Sequence, residues 1–72
     1  MLNSVYVAGM TPKQLENIRK SLGLTKSQFS RLIGVNRSTV TRWESGEVEI
    51  PGIAAIAIRA TAEAGKNARH DG

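Results

Sequence analysis

The chain is short and basic, and it contains no cysteine. Its 72 residues, net charge of +4 and 40% hydrophobic content predict one small globular domain rather than a disordered segment. The lack of cysteine excludes a disulfide framework and a cysteine-based zinc site, and it is typical of a protein of the reducing cytoplasm. No apolar run reaches the roughly 18 residues of a membrane span. We therefore expect a cytoplasmic protein.

The positive charge is concentrated in the first part of the domain. Residues 11–46 carry seven basic and two acidic side chains, whereas residues 47–64 carry one basic and three acidic side chains. This distribution permits an anionic partner but does not establish one, because many small basic proteins bind no nucleic acid.

The two ends of the chain are the least informative segments. The sequence VYV within the first ten residues allows a short strand or an arm that packs on a partner, and an ordinary frayed terminus is the simpler alternative. We assign residues 1–10 to this arm or strand. Residues 65–72 are predicted to form a disordered tail, and His70 within it is given no role.

Two capping-box sequences predict the starts of two helices. TPKQ at residues 11–14 offers a capping Thr, a Pro at the first helical position and a Gln three residues after the cap, and TKSQ at residues 25–28 repeats the capping box. The predicted buried residues are Leu15, Ile18 and Leu22 in the first helix and Phe29, Leu32 and Ile33 in the second. Gly23 and Gly34 are the predicted terminators.

Two further helices complete an all-α fold of four to five helices. Asn36 is a candidate cap for the third helix, which buries Val40 and Trp43 and ends at Gly46. Pro51 opens the fourth, which is predicted to run to about residue 64.

The second and third helices are joined by a short turn that begins with Gly34, which is the spacing of a helix-turn-helix. On a helical wheel of residues 36–45, Val40 and Trp43 lie on one side. The opposite arc consists of Arg37, Ser38, Thr41, Arg42 and Ser45. The major groove of B-DNA admits one α-helix, and Arg forms two parallel hydrogen bonds with guanine there. An ordinary solvated helix face is the alternative interpretation of the same arc.

The segment LTKSQFSRLIGVNRSTVTRWESG, residues 24–46, resembles the Cro and phage-repressor type of helix-turn-helix family, also called the xenobiotic-response-element type. The family pattern L-[ST]-Q-x-x-[LF]-A is followed by [LI]-G-[VI] and by a recognition helix that ends in W-E-x-G. The resemblance implies a compact lambda-repressor-like DNA-binding domain over residues 11–64, with the helix-turn-helix at residues 25–45. It implies double-stranded DNA as the partner.

The resemblance also implies roles for individual residues. The base-contacting residues would be Arg37, Ser38, Thr41 and Arg42. The phosphate-contacting residues would be Lys26, Ser27, Asn36 and Ser45. Arg19 and Glu44 would form an ion pair inside the domain and would not contact DNA.

The chain departs from the family pattern at two places. Ser30 replaces a usual buried Ala and therefore needs a local hydrogen bond. Glu47 and Glu49 occupy a loop that is often basic or neutral, so they should weaken phosphate binding or point away from DNA.

The fourth helix is apolar on two sides, which predicts that it is buried on two sides. One arc consists of Ile53, Ile56, Ala57, Ala60 and Ala64, and Arg59 and Glu63 form a separate polar strip. The second arc, assigned to a homodimer interface, consists of Ala54, Ala55, Ile58 and Ala62. The alternative is that one side is simply the exposed face of an Ala-rich helix with a single Ile. Proteins of this kind bind operators as twofold dimers, so we expect a palindromic operator.

These features together predict a sequence-specific transcriptional regulator of a prokaryote or phage, most simply a repressor or autorepressor. A protein-interaction module that reuses the fold, such as an antitoxin that binds a toxin, is the alternative. No cofactor or metal is expected. An enzyme is not expected, because the chain lacks a cysteine and a paired acid–base cluster.

Overall fold

The structure of the protein, a computed structural model, describes residues 9–70 and the side chains of residues 9–65. The described part contains four helices and no strand. They are α1, Pro12–Ser21; α2, Lys26–Ile33; α3, Arg37–Ser45; and α4, Gly52–His70. The helix-turn-helix consists of α2 and α3. The predicted all-α, lambda-repressor-like fold is confirmed, and most of the predicted N-terminal arm, residues 1–8, lies outside the described residues.

Both capping boxes form as predicted. Gln14 donates its backbone N–H to the Thr11 hydroxyl at 3.1 Å, and the Gln14 side-chain oxygen accepts from the Thr11 N–H at 3.0 Å. The same two bonds join Thr25 and Gln28, at 3.1 and 2.9 Å. Each box satisfies backbone donors that the first turn of a helix leaves without a partner.

The turn between α2 and α3 requires a glycine. Gly34 has a φ of +79°, in the left-handed region, and its N–H bonds to the Ser30 carbonyl as the C-cap of α2. A side chain with a Cβ atom is disfavoured in this conformation, which Gly adopts without that cost. The chain can therefore turn within the three residues 34–36 and begin α3 directly after Asn36.

The core lies between the helix-turn-helix and the two outer helices. α3 packs against both α1 and α2, and α4 packs against α2. The buried hydrophobic residues are Met10, Leu15, Phe29, Val40, Trp43, Ile50, Ala55 and Ile58. Ile18, Leu22 and Ile33 are partly buried against this core. Leu32 was wrongly predicted to be buried: it is 56% exposed, because the apolar stripe of α2 runs through Phe29 and Ile33, on another side of the helix.

The end of α4 differs from the prediction. The helix does not stop before Gly65 but continues to His70, so the segment predicted to be disordered is helical up to that residue. Gly65 is not a cap. A Cβ atom placed on it would lie 2.6 Å from Cδ2 of Leu22, so a larger residue here would have to displace that side chain.

The predicted assignment of the two apolar arcs of α4 was also wrong. Ala55 and Ile58, placed in a dimer interface, are completely buried in the core, while Ala54 packs against that core and Ala62 is half-buried. The other arc faces solvent, with Ile53 80% and Ile56 59% exposed. The small side chains at residues 54 and 55 allow the start of α4 to lie close to the core, so this arc is the one that is covered.

Arg59 does not belong to a purely solvated strip. Its guanidinium donates a hydrogen bond of 2.8 Å to the backbone carbonyl of Gly9. The contact holds the start of the described chain against α4, next to the buried side chain of Met10.

Candidate nucleic-acid interface

The polar face of α3 is turned outward because its apolar face is anchored. Val40 is completely buried and Trp43 is 5% exposed, so the side chains on the opposite arc project away from the core. Arg37, Ser38 and Arg42 are exposed and Thr41 is half-buried. The structure brings these four predicted base-contacting residues together, and they line a shallow open depression of about 350 Å³.

A nearly buried ion pair supports α3 from behind. Arg19 Nε lies 2.7 Å from Glu44 Oε2, and a second bond of 3.1 Å joins the Arg19 guanidinium to Glu44 Oε1. The two side chains are only 11% and 7% exposed. The hydrogen bond that Arg19 donates to the Glu44 carboxylate raises the pKa of Arg19 above its ordinary value. A third bond, to the Leu24 carbonyl at 2.9 Å, extends the contact to the segment before α2, so Arg19 joins α1, α2 and α3.

Ion pairing separates the basic residues into two groups. On α1, Glu16 lies 3.0 Å from Lys20 and 3.7 Å from Lys13. The hydrogen bond and charge of Lys20, with the charge of Lys13, lower the pKa of Glu16. Within the described part of the chain, no carboxylate lies within ion-pair distance of the basic residues of the helix-turn-helix, which are Lys26, Arg31, Arg37 and Arg42. Arg59 of α4 also lacks a carboxylate partner and bonds to the Gly9 carbonyl instead, so most of the uncompensated positive charge of the described residues lies on α2 and α3.

The predicted phosphate-contacting residues differ in how free their side chains are. Lys26 and Ser27 are half-buried in the first turn of α2. Asn36 occupies the N-cap position of α3 and is exposed, but its side chain makes no capping hydrogen bond. Ser45 is occupied within the chain: its hydroxyl donates to the Arg42 carbonyl at 3.0 Å and accepts from the Glu47 N–H at 3.2 Å. Its hydroxyl proton is thus already in use.

Two departures from the family pattern have visible consequences. Ser30 is 3% exposed and donates its hydroxyl to the Ser27 carbonyl at 2.8 Å, which supplies the local bond that a buried hydroxyl requires. Glu47 lines the same depression as Arg37 and Arg42. The sequence analysis predicted that Glu47 lies near the DNA backbone but did not count it among the base-contacting residues. Its position just after a helix of outward polar residues was the available signal.

Other kinds of site are not apparent in the part of the chain that the structure describes. No group of three or more His, Cys, Asp or Glu side chains there could hold a metal ion. No helix among those residues has the length and apolar character needed to cross a membrane.

Two helices joined by a short turn, the second of them able to enter the major groove, define the helix-turn-helix class of DNA-binding domains. In this chain the second helix is anchored by its apolar residues and presents two arginines that have no ion-pair partner among the described residues. Residues 15–60 match the model of the Cro and C1 type helix-turn-helix family, described as "Helix-turn-helix". The match covers more than half of the chain, and the protein belongs to this family of DNA-binding regulators. No curated protein and no solved structure matches the chain significantly.

Proposed function

We propose that the protein is a sequence-specific repressor that inserts α3 into the major groove of its operator and binds as a homodimer. The observation that carries this proposal is the exposed arc of α3, where two arginines without an ion-pair partner stand beside Ser38 and Thr41. Arg is the natural partner of guanine in the major groove, and Ser and Thr can contact bases or phosphates.

The start of each helix of the motif suits the DNA backbone. Lys26 and Ser27 stand in the first turn of α2, and the free Asn36 side chain stands at the start of α3. Helix N-termini attract anions because their first N–H groups have no partner inside the helix. We assign these three residues to phosphate contacts, which position α3 but carry no sequence information. Ser45 has a lesser role because of its internal bonds.

The exposed arc of α4 supports the homodimer. Ile53, Ile56, Ala57, Ala60 and Ala64 all face solvent there. Ile53 and Ala57 also border an apolar groove of about 340 Å³ whose other walls include Ile33, Val35 and Trp43. Protruding isoleucines beside a groove on the same surface are suited to a twofold contact, in which each copy offers both features. The interface assigned to this arc replaces the one predicted at residues 54, 55, 58 and 62.

The test is a fluorescence-anisotropy titration of the protein with the DNA upstream of its own gene and with a scrambled duplex, at two salt concentrations. We expect tighter binding to the upstream DNA, weakened by salt because phosphate contacts release counterions. Arg42→Ala should remove the difference in affinity between the two duplexes, because a bidentate Arg–guanine contact contributes about 1–3 kcal/mol to that difference. Lys26→Ala should instead weaken binding to both duplexes equally.

Equal, weak and salt-sensitive binding of the wild type to both duplexes would contradict a repressor of its own gene, since only charge would have been detected. The apolar groove beside α4 would then favour the alternative of a protein-interaction module with the same fold. In that case, Arg37→Ala combined with Arg42→Ala should leave the activity of the protein intact.

A further inference from the structure

The depression on α3 contains one carboxylate among its polar side chains. Glu47 lines it together with Arg37, Ser38, Thr41 and Arg42. Glu49, two residues later, is also exposed but does not line this depression. The two acidic residues of the loop are therefore in different places relative to the base-reading surface.

The backbone of Glu47 is held firmly at the end of α3. Gly46 ends the helix with a φ of +85°, and the Glu47 N–H then donates to the Ser45 hydroxyl at 3.2 Å. The next residue, Val48, donates its N–H to the Arg42 carbonyl at 3.3 Å. These bonds fix where the Glu47 side chain starts, so it is presented to a ligand in a defined position rather than on a loose loop.

The carboxylate is also not in direct contact with the arginines beside it. Of the ion pairs within the described residues, none involves Glu47. The carboxylate oxygens of Glu47 remain available as hydrogen-bond acceptors on a surface whose other side chains mostly donate.

We propose that Glu47 is a specificity-determining residue that accepts a hydrogen bond from the N4 amino group of a cytosine in the operator. The inference rests on the proposed function, because it requires α3 to lie in the major groove. A carboxylate has only acceptors, and cytosine presents an amino donor on its major-groove edge. Guanine presents two acceptors there and thymine presents one, so both repel it. Adenine also presents an amino donor, but its N7 acceptor lies beside that donor, so cytosine is the better partner of a carboxylate. The arginines thus require acceptors on the base edge, whereas Glu47 requires a donor. Together they can distinguish which strand of a G·C pair carries the guanine.

The experiment is selection from a pool of duplexes with a randomised central region, using the full chain. The variants are Glu47→Gln and Glu49→Gln, which remove the same charge from the same loop and differ in whether the side chain lines the depression. Both replaced residues are exposed, and circular dichroism checks that both variants remain folded. Affinities for the selected sequences and for a scrambled duplex are then measured at one fixed salt concentration.

We expect the wild type and Glu49→Gln to select the same motif. Glu47→Gln should lose a cytosine preference at one position of each half-site, by about tenfold, and gain adenine there, because Gln pairs with the N6 and N7 atoms of adenine. The rest of the motif should persist, because the arginines still read it.

Two results would overturn the inference in distinguishable ways. If Glu47→Gln keeps the full motif and binds all duplexes more tightly, to the same extent as Glu49→Gln, Glu47 only repels phosphates and the proposed function stands. If the wild type itself selects no motif, the proposed function fails and the reading of cytosine fails with it.

Discussion

At the scale of single residues, the pair of Arg19 and Glu44 ties the end of α3 to α1. Its bonds of 2.7 and 3.1 Å are nearly excluded from water, and Arg19 also bonds to Leu24. Removing one partner of such a pair leaves an uncompensated buried charge, which costs more than the pair itself contributes.

Glu44→Gln should therefore lower the free energy of unfolding by about 3 kcal/mol. The double substitution Arg19→Met with Glu44→Leu should recover part of that loss, because it buries no charge. Urea denaturation monitored by the fluorescence of Trp43 measures all three proteins. A loss below about 1 kcal/mol for Glu44→Gln would mean that the pair behaves as an exposed one.

At the scale of elements, the starts of α2 and α3 are built differently. The α2 start is closed by reciprocal bonds between Thr25 and Gln28, whereas Asn36 makes no side-chain bond to the start of α3. The first arrangement stabilises the helix, whereas the second leaves the Asn36 side chain itself available to a ligand.

Thr25→Ala should cost about 1 kcal/mol of stability, because it removes a capping bond. Asn36→Ala should cost much less in the free protein and should weaken binding to any duplex. Thermal unfolding and DNA titration of the two variants, side by side, check this contrast. Equal destabilisation would show that Asn36 caps α3 in solution, in which case its assignment to phosphate would be withdrawn.

The sequence predicted features that depend on residues close together in the chain, and it failed where the structure depends on residues far apart in the chain. The capping boxes and the inward position of Trp43 follow from residues within a turn or two of one another, and both are correct. Gly65 carries the same local signal as a helix terminator, but its role depends on Leu22, far away in the chain. The two arcs of α4 are both apolar, so periodicity alone could not decide which one faces the core.

At the scale of the whole molecule, the exposed isoleucines of α4 are the feature on which the proposed homodimer rests. Ile53 and Ile56 are 80% and 59% exposed beside an apolar groove. Large apolar side chains grouped on one surface mark interaction sites more often than isolated ones do.

Ile53→Glu combined with Ile56→Glu should convert a dimer to a monomer without unfolding it, because both positions are exposed. Sedimentation equilibrium measures the mass, and operator affinity should fall by about 100-fold when the two half-sites are no longer bound by linked domains. The control is Asn17→Glu, which adds negative charge on the exposed face of α1. This variant should remain a dimer. A doubly substituted protein that remains a dimer would exclude this face as the interface.

Because the ion pair lies behind α3, it offers a way to change the thermal stability of the domain without changing the bases that the domain selects. Occupancy of the proposed operator would depend on the folded fraction of the chains and on the affinity of each folded chain. Arg19 and Glu44, nearly buried behind α3, are expected to affect the folded fraction. Each 1 kcal/mol lost in a domain of this size lowers the melting temperature by about 4–8 °C. A chain weakened mildly at this pair would choose the same bases when cool and would release its operator on warming, as a heat-sensitive regulator.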